Sequence, residues 1–240
     1  MTQNILPSTL FTFVRKAFQQ QLATAANLFR WKKTDSEKWP LCGGRQTSNH
    51  RPTLNNCASP SALARYKRRH DGILEILAQW ITSMVREEGQ VFVDLVGHPN
   101  NQIADIFTSL RPDIVVKHRK RISTLELTIC HETNVIASRT YKQKKYKDLS
   151  RNLRPEFASL KISNYTIEIT SLGIISDIGD LCGENLIVDQ IPEYIRQLLV
   201  ISGSSYSIYC LRNAVWDPWT NLDHQTLVLH PLVRAWAMFV

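Results

Sequence analysis

The sequence predicts an α/β domain made of a helix, a three-stranded meander, a second helix and a further strand. Apolar residues recur at steps of three and four between residues 62 and 88, which is typical of an amphipathic helix. Three β-rich runs follow at 91–96, 113–118 and 123–130, and a short basic turn joins the last two into a predicted hairpin. With 43% hydrophobic residues, the chain has enough apolar surface for a packed core.

The second half of the predicted domain begins with a basic helix over residues 134–160, in which Pro155 marks a break. Residues 165–175 form the next predicted strand, and two further helical segments are expected within 191–213. The predicted domain therefore spans residues 62–213.

Two other regions flank this domain. In the first, residues 1–61, an amphipathic helix is expected over 9–30 with a break near Thr24. Its predicted apolar face consists of Phe11, Val14, Phe18, Leu22 and Ala25. Residues 31–61 are rich in Gly, Pro, Asn and Ser, which indicates a loop or a small module organised by a metal. Residues 214–240 show no clear period and are expected to form a tail of unknown structure.

Positive charge is concentrated in two parts of the chain, residues 111–147 and the cluster "RYKRRH" at 65–70. The whole sequence has 29 Lys and Arg against 21 Asp and Glu, and residues 111–147 hold ten basic residues but three acidic ones. This balance favours a polyanionic partner such as nucleic acid, although an ordinary basic soluble protein fits the total charge equally well. The candidate DNA contacts are Arg68, Arg69, Arg111, Lys117, Arg119, Lys120, Arg121 and Lys145.

Two isolated acids, Asp113 and Glu126, fall on the predicted hairpin inside this basic region. Carboxylates on adjacent strands are suited to hold a divalent cation. Structural interpretations stay open for both, because Asp113 also suits the start of a strand and Glu126 also suits an exposed edge position. Asp94, at the end of the first strand, and Glu75, in the preceding helix, are weaker candidates for a further acid.

The motif "RPD" at 111–113, followed after twelve residues by Glu126 in "LELT", resembles the PD-(D/E)XK superfamily of restriction-endonuclease-like nucleases. The usual signature has a lysine where this chain has Thr128. Downstream, "YKQKKYKDL" places Lys142 and Tyr146 four residues apart, on one face of the predicted helix. This combination resembles the C-terminal endonuclease region of site-specific non-LTR retrotransposon polyproteins, which follows a reverse transcriptase.

The resemblance implies a restriction-endonuclease-like core and a nuclear, Mg²⁺-dependent endonuclease that nicks target DNA for integration. In that family's arrangement Asp113 and Glu126 are the metal ligands. Lys142 neutralises charge on the scissile phosphate or orients the water, and Tyr146 braces that lysine or touches the backbone. The implied partners are target DNA, element RNA and a reverse transcriptase acting in trans, because the sequence carries no reverse transcriptase motif.

The segment "WPLCGGRQTSNHRPTLNNC" is similar to the zinc knuckle of these elements. Cys42, His50 and Cys57 match three of its ligands, while Trp39 stands at the place of the first cysteine. Structural Zn²⁺ sites use four ligands, so both a weak zinc site and a decayed knuckle stay open.

Other classes of function stay open. The five cysteines and the absence of a signal-like or membrane-spanning run predict a reduced intracellular protein without a membrane partner. The main alternative is a catalytically inactive nucleic-acid-binding remnant of such an element. A third is an adaptor whose positive charge binds an acidic protein.

Overall fold

The computed structural model describes residues 8–38, 52–85, 89–98 and 101–176, together with Ile195 and Leu199. The predicted tail at 214–240 lies outside them, as does nearly all of the predicted helical pair at 191–213. The chain divides into two compact units, one of residues 1–72, 171–173 and 198–240 and the other of residues 73–170 and 174–197. The boundary predicted after residue 61 stays a prediction.

Within the described parts of the chain, the helices are α1 Ser8–Phe18, α2 Ala25–Arg30, α3 Pro60–Met84, α4 Asn101–Ile106 and α5 Val135–Lys145. The strands are β1 Gly89–Val93, β2 Ile114–His118, β3 Arg121–Cys130 and β4 Lys161–Thr170. Short helical turns lie at Pro52–Asn56, Glu132–Asn134, Leu149–Asn152 and Pro155–Phe157. None of the described helices combines the length and apolar character that a membrane span requires.

In the first unit, the predicted break near Thr24 is confirmed, because the Thr24 hydroxyl caps α2 by accepting from the Asn27 N–H. The predicted apolar face is confirmed in part: Leu22 is buried and Val14 packs against the same apolar cluster, but Phe11 and Phe18 are 58% and 60% exposed, and Phe13 and Ala17 are buried instead. Apolar residues occupy more than one side of this helix, so spacing alone does not identify the side that packs.

The second unit is a mixed α/β structure around a four-stranded sheet of order β1-β2-β3-β4. The first three strands form the predicted antiparallel meander, and β4 is parallel to β3. A parallel neighbour requires a crossover connection, and α5 lies in that connection, against β3 and β4.

Strand β3 lies between two neighbours, and its residues are buried on both faces of the sheet. Leu125 and Leu127 point to one face, and Ile122 and Glu126 point to the other, with at most 3% of any of these residues exposed. Strand pairing places Val115 and Phe92 on the same face as Ile122, and these three join one apolar core. Toward the end of β3 this face becomes polar, and the candidate site lies there.

Several elements differ from the sequence prediction, and strand β4, for example, spans Lys161–Thr170 instead of the predicted 165–175. Helix α4 lies between β1 and β2, in a region where no helix was predicted, and its Ile103 and Ile106 belong to the apolar core. The basic helix ends at Lys145, well before Pro155, and short turns follow it. Buried Leu149 and Leu153 in and after these turns pack into the same core, so tertiary packing replaces the continued helix.

Candidate active site

Three acidic residues lie in a row across three neighbouring strands. Val93 pairs with Ile114, and Ile114 pairs with Leu125, so the next positions along these strands are Asp94, Asp113 and Glu126. The Asp94 N–H donates to the Asp113 carbonyl oxygen at 2.9 Å, which continues the β1–β2 ladder to this row. Because directly opposed residues project to the same face, the three carboxylates share one side of the sheet.

Asp113 and Glu126 are joined by reciprocal hydrogen bonds. The Asp113 N–H donates to Glu126 Oε1 at 3.3 Å, and the Leu127 N–H donates to Asp113 Oδ2 at 2.8 Å. Each carboxylate therefore accepts from the strand that carries the other. An ionised carboxylate has about four lone-pair sites, so oxygen lone pairs remain for a further ligand.

Glu126 is 1% exposed, so the interpretation of this residue as an exposed edge position is wrong. Strand β4 covers the side of β3 that an edge strand would leave open. Burial and, to a smaller extent, the nearby Asp113 carboxylate raise the pKa of Glu126 above its ordinary value, while Lys142 and Tyr146 act to lower it. A cation beside Glu126 would relieve the cost of the buried charge.

Lys142 reaches Glu126 from helix α5. Its Nζ lies 2.5 Å from Glu126 Oε2, and the lysine side chain is 20% exposed. The strand position that usually carries the lysine holds Thr128 instead. The Lys142 amine therefore reaches Glu126 from helix α5, and not from strand β3, which carries Glu126 itself.

Tyr146 is the C-cap that directly follows α5, and its backbone N–H donates to the Lys142 carbonyl oxygen. The tyrosine ring is buried in the apolar core, and its hydroxyl donates to the Arg111 carbonyl oxygen at 3.4 Å. Burial, followed by the hydrogen-bonding interaction with Glu126, raises the pKa of Tyr146 far above its ordinary value. The side chain is therefore a neutral hydrogen-bond donor at the edge of the site.

Asp94, the weaker metal-ligand candidate, is engaged by Arg111, whose Nη2 donates to Asp94 Oδ1 at 2.6 Å. Among the residues that the structure describes, no three or more His, Cys, Asp or Glu side chains are placed to share one metal ion. The acidic row therefore offers one closely joined pair, Asp113 and Glu126, with Asp94 held by a guanidinium beside it.

Glu75, the other weak candidate, lies on α3 and forms two polar contacts. Its carboxylate oxygens lie 2.8 Å from His98 Nε2 and 2.8 Å from the donating Gln79 Nε2. No described contact joins it to Asp113 or Glu126.

A second buried carboxylate, Glu168 on β4, lies beside the site and was not predicted from the sequence. Thr128 pairs with Glu168 in the parallel register, so Glu168 lies on the same face as Glu126. Arg139 Nε of α5 donates to Glu168 Oε2 at 2.9 Å. The sequence did carry a signal, because "TLELT" at 124–128 and "TIEIT" at 166–170 repeat one pattern around the two glutamates.

Most of the predicted DNA contacts are on the surface. Six of them are exposed: Arg68, Arg111, Arg119, Lys120, Arg121 and Lys145. Lys117 is half-buried, and its ammonium lies over the Phe157 ring. Arg69 differs: it is 1% exposed, its Nη2 donates to Asn55 Oδ1, and its guanidinium lies over the Tyr66 ring. The structure thus places Arg69 inside the first unit instead of on its surface, and a contact of this residue with DNA stays a prediction.

The predicted zinc ligands are described in part. Cys57 is buried, its Sγ lies 3.3 Å from Ser59 Oγ, and its N–H donates to the Tyr66 hydroxyl. Cys42 and His50 lie outside the described residues, so the zinc site stays a prediction.

The sequence matches no protein-family model, and no curated protein is similar enough to it to identify a relative.

Proposed function

We propose that this chain is a Mg²⁺-dependent DNA endonuclease with a restriction-endonuclease-like core, derived from a retroelement, that nicks phosphodiester bonds. The observation that carries the proposal is the polar cluster in which Asp113 of one strand, Glu126 of the next and Lys142 of α5 are joined by hydrogen bonds, with Tyr146 beside them. The element order and the antiparallel meander followed by a parallel strand are consistent with that architecture.

The donor set suits magnesium. Mg²⁺ prefers oxygen ligands, keeps several waters, and is commonly held by one or two carboxylates together with substrate phosphates. Asp113 and Glu126 would hold the ion, and the buried charge of Glu126 favours a cation there. When bound, the ion supplies Lewis-acid stabilisation of the phosphoryl and leaving oxygens and lowers the pKa of water.

Lys142 contributes a positive charge that acts on the scissile phosphate. Its ammonium is an electrostatic donor in a mostly buried environment, where a charge interacts more strongly than in bulk water. Tyr146, which stays protonated, anchors the end of α5 through the Arg111 carbonyl and keeps the lysine turn beside Glu126.

The proposed DNA surface consists of exposed basic side chains in the second unit. Arg119, Lys120 and Arg121 lie at the β2–β3 turn, and Lys145 follows Lys142 along α5. Phosphate contacts of this kind position a duplex without reading its sequence. Action in the nucleus, element RNA as a partner and a reverse transcriptase in trans belong to the same proposal.

Plasmid nicking tests the proposal. With Mg²⁺ the protein should convert supercoiled plasmid to open circles, and EDTA should prevent this conversion. Asp113→Asn or Glu126→Gln should reduce the rate by about 10²-fold or more, since each removes charge from the reacting centre. Asp148→Asn is the matched control, because Asp148 is 59% exposed and pairs with Arg151; its rate should equal that of the wild type.

DNA binding without nicking in any divalent cation would replace this proposal with the inactive nucleic-acid-binding remnant. Absence of DNA binding at low salt would instead favour the adaptor for an acidic protein.

A further inference from the structure

Helix α5 carries Lys142 but buries none of its own residues. Ile136 is 80% exposed, so this apolar side chain is not docked in a core. Amphipathic helices are usually held to a sheet by an apolar stripe. Within the described residues, α5 is held in a different way.

Two ion pairs connect α5 to buried carboxylates of neighbouring strands. Arg139 pairs with Glu168 at 2.9 Å, and Lys142 pairs with Glu126 at 2.5 Å. Residues three apart lie on the same side of a helix, so both cations project toward the sheet. Glu168 is fully buried and also accepts from the Ser176 hydroxyl at 2.9 Å, which holds the carboxylate in place.

We propose that Arg139 and Glu168 are positioning residues for Lys142. Their ion pair fixes the rotation of α5 and its height above the sheet, and thereby directs the lysine amine at Glu126. This inference rests on the proposed nuclease function. During that reaction Lys142 must exchange its contact with Glu126 for the phosphate, and the Arg139–Glu168 pair keeps the helix in place through the exchange.

The free-energy cost of burying the Arg139–Glu168 ion pair argues for a role beyond stability. Glu168 Oε1 and Thr128 Oγ1 are buried, and neither has a hydrogen-bond partner in the described structure. Buried ion pairs are often no more stabilising than apolar residues of similar size, and unpaired buried oxygens are unfavourable. An Arg–carboxylate contact, however, defines direction as well as distance, which apolar packing does not.

The test replaces the pair without leaving a buried charge. In the double variant Arg139→Met/Glu168→Leu, we expect kcat for Mg²⁺-dependent nicking to fall by about 10²-fold, the scale of a displacement near 1 Å. DNA affinity and the melting temperature should not fall. Glu168→Gln keeps an oxygen acceptor for Arg139 Nε and should recover most of the rate. The control is the double variant Arg151→Met/Asp148→Leu, in which an exposed ion pair is replaced in the same way.

A second measurement does not depend on activity. In the metal-free protein, acylation of Lys142 by an amine-reactive reagent, followed by mass spectrometry, should be several times faster in the double variant. Lys144, which is exposed on the same helix, provides the internal reference.

The outcomes separate the two proposals. A wild-type protein that never nicks DNA contradicts the nuclease function, while faster acylation of Lys142 in the variant still supports the positioning of that side chain. Unchanged acylation together with an unchanged nicking rate overturns the positioning role. A lowered melting temperature with nicking restored on cooling also overturns it, because the pair would then serve stability alone.

Discussion

Glu126 occupies an environment that opposes its charge and only partly compensates it. It is buried, it faces a second carboxylate in Asp113, and it receives one ammonium from Lys142. Burial is the largest effect on its pKa, and the direction is upward. The residue is therefore a carboxylate whose charge destabilises the metal-free fold, which is the behaviour expected of a cation ligand.

The raised pKa of Glu126 predicts that the stability of the fold changes with pH. Since the folded pKa lies above the unfolded value, the wild type should lose stability as pH rises from about 4.5 through the folded pKa, and the loss should then stay constant. Glu126→Gln resembles the protonated form and should melt higher than the wild type at about pH 8, with little difference below about pH 4.

Thermal melts in EDTA across this pH range measure the effect. Glu156→Gln, at an exposed position, is the control and should follow the wild-type curve. A Glu126→Gln protein that melts below the wild type at pH 8 would contradict the assignment of burial as the dominant effect.

At the scale of elements, β3 determines where the site can form. It pairs with β2 along one edge and with β4 along the other, and its side chains are buried on both faces of the sheet. Its first half contributes Ile122 to the apolar core, and its second half contributes Glu126 to the polar cluster. The strand thus couples core packing to the position of the acid.

Ile122→Ala should lower the free energy of unfolding by about 2–5 kcal/mol, because it removes fully buried methyl groups and leaves a cavity. Urea denaturation measures this change. Ile136→Ala, the same substitution at an 80% exposed position on α5, should change stability by no more than about 0.5 kcal/mol. Equal effects of the two substitutions would show that the core assignment of β3 is wrong.

At the scale of the whole molecule, the excess of positive charge concerns association rather than folding. The chain has 29 Lys and Arg against 21 Asp and Glu, and the residues of the β2–β3 turn present three adjacent basic side chains to solvent. Such a surface binds phosphates by releasing counterions. The salt dependence of DNA affinity therefore measures how many of these charges take part.

The logarithm of the DNA association constant should fall linearly with the logarithm of salt concentration, with a slope of about −0.9 per phosphate contact. Lys120→Ala should reduce the magnitude of this slope by about one. Lys67→Ala is the control, since Lys67 pairs with Asp71 at 2.6 Å. Fluorescence anisotropy across a salt series measures both slopes, and an affinity insensitive to salt would contradict the proposed surface.

Several of the described elements follow from local sequence pattern. The hairpin, helix α3 and strand β4 were predictable because alternation and helical spacing depend on residues close in sequence. Helix α4 was missed because its short segment carries too few apolar positions to define a period. Motif positions identified the site residues Asp113, Glu126, Lys142 and Tyr146. They did not identify Arg139 and Glu168.

The sequence by itself determined which residue types lie on each strand and helix, and it placed two acids and a lysine on successive elements. The tertiary structure alone decided their surroundings: Glu126 and Glu168 are buried under α5, and Arg69 lies inside the first unit instead of on its surface. The reason is physical. Alternation assigns a side chain to a face of the sheet, but whether that face meets solvent or a covering helix depends on pairing between distant segments.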